Sequence, residues 1–197
     1  MSNITTKEKV KAYLSLSDVT NDALIDELIK NVSDTIHGFC NRSLERNTYT
    51  EYFDTELGHS KLFLNNYPVI SLTSVQYRSG NWGAITWSDL NINDYLLNDN
   101  GKVSLSFTTP QAEKYIKIVY VGGYLIDFSN ETNIALHTLP YELTQIATEW
   151  VSALFNTRTS TGVSSETTEG QSISYTPKDT ADKTYQNRLA SFRRINI

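Results

Sequence analysis

Three histidines, one cysteine and a short run of carboxylates offer the most chemistry in this chain. His37, His59 and His137 fall in a predicted helix, a turn and a loop. No two share a helix-face spacing, so a metal site would need them to meet by long-range coincidence. Surface or part-buried histidines are the expectation. Cys40 lies on the apolar side of a predicted helix, with no local basic group to lower its pKa, and reads as a small buried hydrophobe. Because it is the single cysteine, an internal disulfide and a Cys-rich zinc site are excluded. Glu51, Asp54 and Glu56 are close enough in sequence to mimic a glycosidase pair. Glu51 belongs to a predicted strand and the other two to its turn, and no sugar platform accompanies them. Gly122-Gly123 lacks the GxGxxG pattern and a Walker lysine, and Ser164-Ser165 lacks the GxSxG elbow. No catalytic, cofactor-binding or metal residues are assigned, no cofactor is expected, and the chain reads as a protein that is not an enzyme.

The aromatics are the unusual feature. Twelve tyrosines and three tryptophans exceed what one core of this size needs, and Trp82 and Trp87 fall on a hairpin that reads as half exposed. Tyr and Trp are favoured at protein interfaces because they combine large rigid area with a polar tip. A sugar-stacking surface would use the same residues. Trp82, Trp87, Tyr175, Arg188, Arg193 and Arg194 form the candidate interface, with a protein partner preferred.

These residues must be positioned by an α+β fold: a small helical core with an inserted antiparallel β module. At 197 residues the chain reads as one domain. The central element is 139–158, where Leu143, Ile146, Ala147, Trp150, Val151, Leu154 and Phe155 recur at helical spacing. Pro140 suits its first turn and Thr138 an N-cap. Its other face, Glu142, Thr144, Gln145, Thr148 and Glu149, reads as polar. Residues 1–45 predict two helices. The first opens with Thr5–Glu8 at capping-box spacing, and the second, about 21–41, has Asn41 as a left-handed cap.

Over 46–126 the period changes from 3.6 to 2. Short strands are predicted near 48–53, 61–64, 69–78, 82–87, 94–97, 103–107 and 115–121, with 70–77 and 82–87 as a hairpin. Strict alternation would put Val69, Ser71, Thr73, Val75 and Tyr77 on one side. Residues 159–178 are rich in Ser, Thr, Gly and Glu and predict a flexible loop, in which Ile173 and Tyr175 alternate as an edge strand would. Residues 179–197 return to helical spacing and end in a tail.

A net charge of −5 argues against a protein that grips nucleic-acid phosphates as its main task. No apolar run approaches the roughly 20 residues of a membrane helix, and the first residues lack the apolar core of a secretory signal. No membrane partner is expected.

The order of these pieces resembles the tailed-bacteriophage head–tail connector family, the head-completion or adaptor proteins. The opening VKAYLSLSDVTNDALIDELIKNVSDTIHGFCNRSL is similar to the family's paired helices. Tyr67-Pro68-Val69-Ile70-Ser71-Leu72-Thr73-Ser74-Val75 is like its first long strand. Asp94-Tyr95-Leu96-Leu97 and Val119-Tyr120-Val121-Gly122-Gly123-Tyr124 recur in turn. The close runs from Leu139-Pro140 through Leu143, Ala147 and Trp150 to Asn156-Thr157-Arg158. The large β insertion and the long Ser/Thr/Gly-rich segment depart from the shortest members. The resemblance implies a structural virion protein, made in the host bacterial cytoplasm and placed at the head–tail junction. It implies a homo-oligomeric ring, a dodecamer on the portal, that extends the DNA channel. Its partners would be the portal protein, a tail or stopper protein, and double-stranded DNA passing without sequence-specific binding. The competing expectation is a carbohydrate- or receptor-binding module of the particle.

Overall fold

The computed structural model describes residues 2–58, 60–80, 83–98, 101–158 and 183–194 in full, and the backbone alone of 165–168, 171–174 and 178–182. In chain order the elements are α1 (Lys7–Leu14), α2 (Asp22–Cys40), β1 (Asn47–Thr55), β2 (Lys61–Phe63), β3 (Val69–Ser79), β4 (Thr86–Asp89), β5 (Tyr95–Leu97), β6 (Lys102–Leu105), β7 (Ala112–Gly122), α3 (Tyr141–Thr157), β8 (Ser165–Thr168), β9 (Gln171–Ser174) and α4 (Lys178–Leu189). The fold is α+β, as the two periods predict. It divides into two compact units, a helical one of Met1–Arg42 with Ile126–Ile197 and a β unit of Ser43–Leu125.

In the helical unit α3 packs against α1, α2 and α4. Its apolar stripe is buried as its spacing requires, Trp150 included, with Leu154 alone of the seven at intermediate exposure. The polar face expected opposite it is half wrong. Of its residues Thr144 and Thr148 are buried, as is Ser152 one turn on, Glu149 is intermediate, and Glu142 and Gln145 are well exposed. For Thr148 and Ser152 burial is tolerated because small hydroxyls can bond back onto the helix, whereas the Thr144 hydroxyl is buried with no hydrogen-bond partner among the described residues. Thr148 Oγ1 donates to the Thr144 carbonyl and Ser152 Oγ to that of Thr148, each at 2.8 Å. Thr148 also meets the buried Thr5 hydroxyl at 2.6 Å.

That contact corrects the α1 cap. Thr6, not Thr5, is the N-cap and accepts from the Lys9 N–H at 3.4 Å, because Thr5 is committed to α3. The start of α3 is likewise shifted, with Pro140 at the N-cap position and Tyr141 first in the helix. Asn41 does close α2 in the left-handed conformation, φ 52°.

The β unit contains a four-stranded sheet in the order β1-β7-β3-β4 and a three-stranded sheet in the order β2-β6-β5. Leu62, Val103 and Leu105 of the smaller sheet share one core with Val75, Ile116, Ile118 and Tyr120 of the larger. Strict alternation fails along β3. Register shifts fall between Val69 and Ser71 and between Leu72 and Ser74, and each extra residue turns the strand over. Val69, Leu72, Val75 and Tyr77 therefore share the core side, while Ile70 is 49% exposed. Two glycines close the unit. A Cβ on Gly122 would collide with the Asn66 carbonyl oxygen, and one on Gly123 with that of Glu45. Gly123 also sits at φ +91°, where only glycine is comfortable.

Within 159–178, read from sequence as a flexible loop, the backbone forms an antiparallel hairpin of β8 and β9. Its register runs from Ser165–Ser174 to Thr168–Gln171.

Candidate docking surfaces

Alternation puts Ile116, Ile118 and Tyr120 of β7 into the core and leaves Lys117 on the opposite face. Lys117 is registered beside Tyr52 of β1 and Gln76 of β3, and Gln76 beside Asp89 of β4. Trp87 joins this outer face. Its ring lies 5.6 Å from that of Tyr52, and Lys117 Nζ stands 5.6 Å from its centroid. Gln76 Nε2 donates to Asp89 at 2.8 Å. The result is an aromatic and charged surface across the four strands, with Tyr52 half exposed. Tyr52 and Lys117 were not singled out from sequence. The period-2 run Thr48–Phe53 held the signal, since Thr48, Thr50 and Tyr52 alternate away from Tyr49, Glu51 and Phe53.

The arginines of the candidate interface lie in the helical unit and have work there. Arg188 pairs with the Glu149 carboxylate, beside Tyr185, whose ring stacks on Trp150 at 5.3 Å. The Arg193 guanidinium lies 5.4 Å from the Phe39 ring centroid. The Arg194 N–H donates to the Cys40 carbonyl at 2.9 Å, which ties the end of the chain to the end of α2. Trp82 and Tyr175 fall outside the described residues.

The groups with chemical potential are placed as follows. Glu51 meets a buried phenol. The Tyr120 hydroxyl donates to it, and so do the Asn65 N–H at 3.2 Å and Asn66 Nδ2 at 3.5 Å. Burial first, and the adjoining Glu51 second, push the Tyr120 pKa upward. Asp54 accepts from the Lys114 N–H at 2.7 Å. Cys40 is buried, and burial raises its thiol to about 11, far from a reactive thiolate. His37 is buried with Nε2 3.3 Å from the Ser2 carbonyl, and burial lowers its pKa. His137 Nδ1 accepts from the Asp127 N–H at 3.1 Å, and His59 is outside the described residues. Among the described residues no group of three or more His, Cys, Asp and Glu side chains is arranged to hold a metal ion, and no helix is long and apolar enough to cross a membrane.

No curated protein matches the chain. A chain from the neck of an empty gene transfer agent particle, computed with C6 symmetry, is similar in fold. The TM-score is 0.52 at 11% identity, over 89% of this chain and 80% of that one. A chain from the virion of a native gene transfer agent particle is similar at TM-score 0.51 and 12% identity, over 90% of this chain and 80% of the other. The head completion protein family matches residues 3–195. The chain belongs to that family.

Proposed function

We propose that this protein is a structural component of the head–tail junction of a phage-like particle. It forms a ring under the portal, continues the DNA channel and presents the docking site for a tail or stopper protein. The observation that carries the reading is the family match over residues 3–195. The likeness in fold to a particle-neck chain supports it, and a dodecamer would contain the sixfold axis of that neck. The net charge of −5 suits a conduit through which DNA slides without adhering. Nothing in the arrangement of Glu51, Cys40 or the histidines favours catalysis. We read the chain as one connector domain whose helical unit is the rigid body and whose contacts are made by the β unit and the 157–178 segment. On this reading Trp82, Trp87 and Tyr175 serve contacts between proteins.

The test is light scattering coupled to size exclusion, with negative-stain images of the same fractions, alone and with portal added. Rings in either sample are expected. A monomer that ignores the portal would overturn the reading. A carbohydrate- or receptor-binding module is the competing reading, and Trp87 is the observation behind it. Its ring is already covered by Tyr52 and Lys117, so a sugar would have to displace both. Unchanged tryptophan fluorescence during sugar titration would remove it.

A further inference from the structure

Among the strand edges that pair with no further strand among the described residues, two stand out. The first is β1, which ends the order of the four-stranded sheet. It is nine residues long, Asn47–Thr55, so every second N–H and C=O along it points away from β7. Proteins usually guard such an edge with lysine, proline, a short strand or a bulge. The sequence NTYTEYFDT holds no lysine and no proline, its two carboxylates, Glu51 and Asp54, are engaged within the same unit, and its one register shift, between Phe53 and Thr55, comes at its far end. Threonine and tyrosine are instead good strand formers. The opposite edge of the same sheet, β4, is only four residues long.

The second piece is the β8–β9 hairpin. It is a two-stranded sheet of its own, and its strands read SETT and QSIS. Ile173 is their single apolar residue, so the hairpin has no hydrophobic face with which to stabilise itself. Isolated two-stranded hairpins are marginal in water and need a third strand. Among the described residues neither of its outer edges pairs with another strand.

We infer that the β8–β9 hairpin of one copy adds to the open edge of β1 in a neighbouring copy, extending the four-stranded sheet across the subunit boundary. This deepens the ring reading and rests on it. Main-chain hydrogen bonds supply the contact, as in strand addition generally, which explains why the hairpin can be so polar. The two surfaces differ, so the contact is head-to-tail, the kind of contact that builds a ring when its rotation closes. Four-residue strands cover about half of β1, leaving the aromatic outer face of that sheet open for a different protein.

Two single-cysteine additions test it, Thr50→Cys in β1 and Ser172→Cys in β9, each in the full chain, with the buried Cys40 left in place. Mixed, assembled on the portal and mildly oxidised, the two variants should yield a disulfide-linked heterodimer, and neither variant alone should yield a linked dimer. A third variant replaces 165–174 by a Gly/Ser segment of equal length and should lose the ring peak while the helix signal persists. Rings that form normally in the replacement variant, without the mixed disulfide in the cysteine pair, would overturn the strand addition and leave the ring reading standing. Absence of rings from the unmodified chain, with and without portal, would overturn both.

Discussion

In the helical unit a single element, α3, collects the packing of the other three helices, and two of its buried hydroxyls, Thr148 and Ser152, bond back to carbonyls one turn earlier. The β unit has a central strand too, β7 between β1 and β3. The order of that unit depends on two bulges in β3, two glycines under neighbouring backbone, and one carboxylate clasped by Tyr120, Asn65 and Asn66. The helical unit is held by volume and the β unit by backbone fit. Substitutions that remove volume should therefore hurt the first most, and substitutions that add a single carbon should hurt the second.

The largest effect is expected for Trp150→Ala. Trp150 is 3% exposed and stacked on Tyr185, so its loss leaves a large cavity and should cost about 4 kcal/mol. Urea unfolding followed by helix ellipticity reads it directly. A cost below about 1 kcal/mol would mean that α3 is not the centre of packing. Next comes Gly122→Ala, where the added methyl meets the Asn66 carbonyl. Displacing backbone on that scale should cost about 3 kcal/mol. A near-neutral result would break the contrast between volume and backbone fit.

Tyr120→Phe removes the hydroxyl that Glu51 and Asn66 share. Removing one of the donors to a part-buried carboxylate should cost about 2 kcal/mol. Pairing it with Glu51→Gln should recover part of the loss, and strict additivity in that cycle would show that the two side chains do not interact.

A smaller effect separates the units by pH. The His37 pKa is lowered from 6.5 by burial, so the unfolded chain binds the proton more readily. Stability is then complete above 6.5 and declines as pH falls through that value toward the folded pKa. In the same unit Asp22 is held below its usual 3.8, chiefly by the hydrogen bond from Lys11, and its contribution is lost only at more acidic pH. His37→Gln should flatten the first phase of an acid titration and leave the second. The smallest change is a gain. A Cβ on Gly38 in α2 meets nothing within 4 Å, so Gly38→Ala should stabilise by about 0.7 kcal/mol.

The helices were legible in sequence because a 3.6-residue period survives in the chain whatever packs around it. The stripe from Leu143 to Phe155 and the cap at Asn41 were found that way. Thr144 and Thr148 belong to the face that reads as polar and yet are buried, since a hydroxyl turned toward protein looks the same in sequence as one that faces water. Strands were found as runs, but the β3 bulges were invisible, because the extra residues at 70 and 73 carry no distinctive side chain. Gly122-Gly123 read as a strand terminator, and its second role, admitting the Asn66 and Glu45 carbonyls, depends on chain that lies far off in sequence. Trp87 could be nominated as an aromatic on a hairpin. Its partners Tyr52 and Lys117 sit on other strands, and only the sheet order brings them together.

A reconstruction of the neck of the assembled particle tests the central claim most directly. The account predicts a closed ring of this fold immediately below the portal, each copy's outer β1 edge meeting the 165–174 hairpin of its neighbour. Density for this fold at another position in the particle, or as isolated copies at the junction, would contradict it.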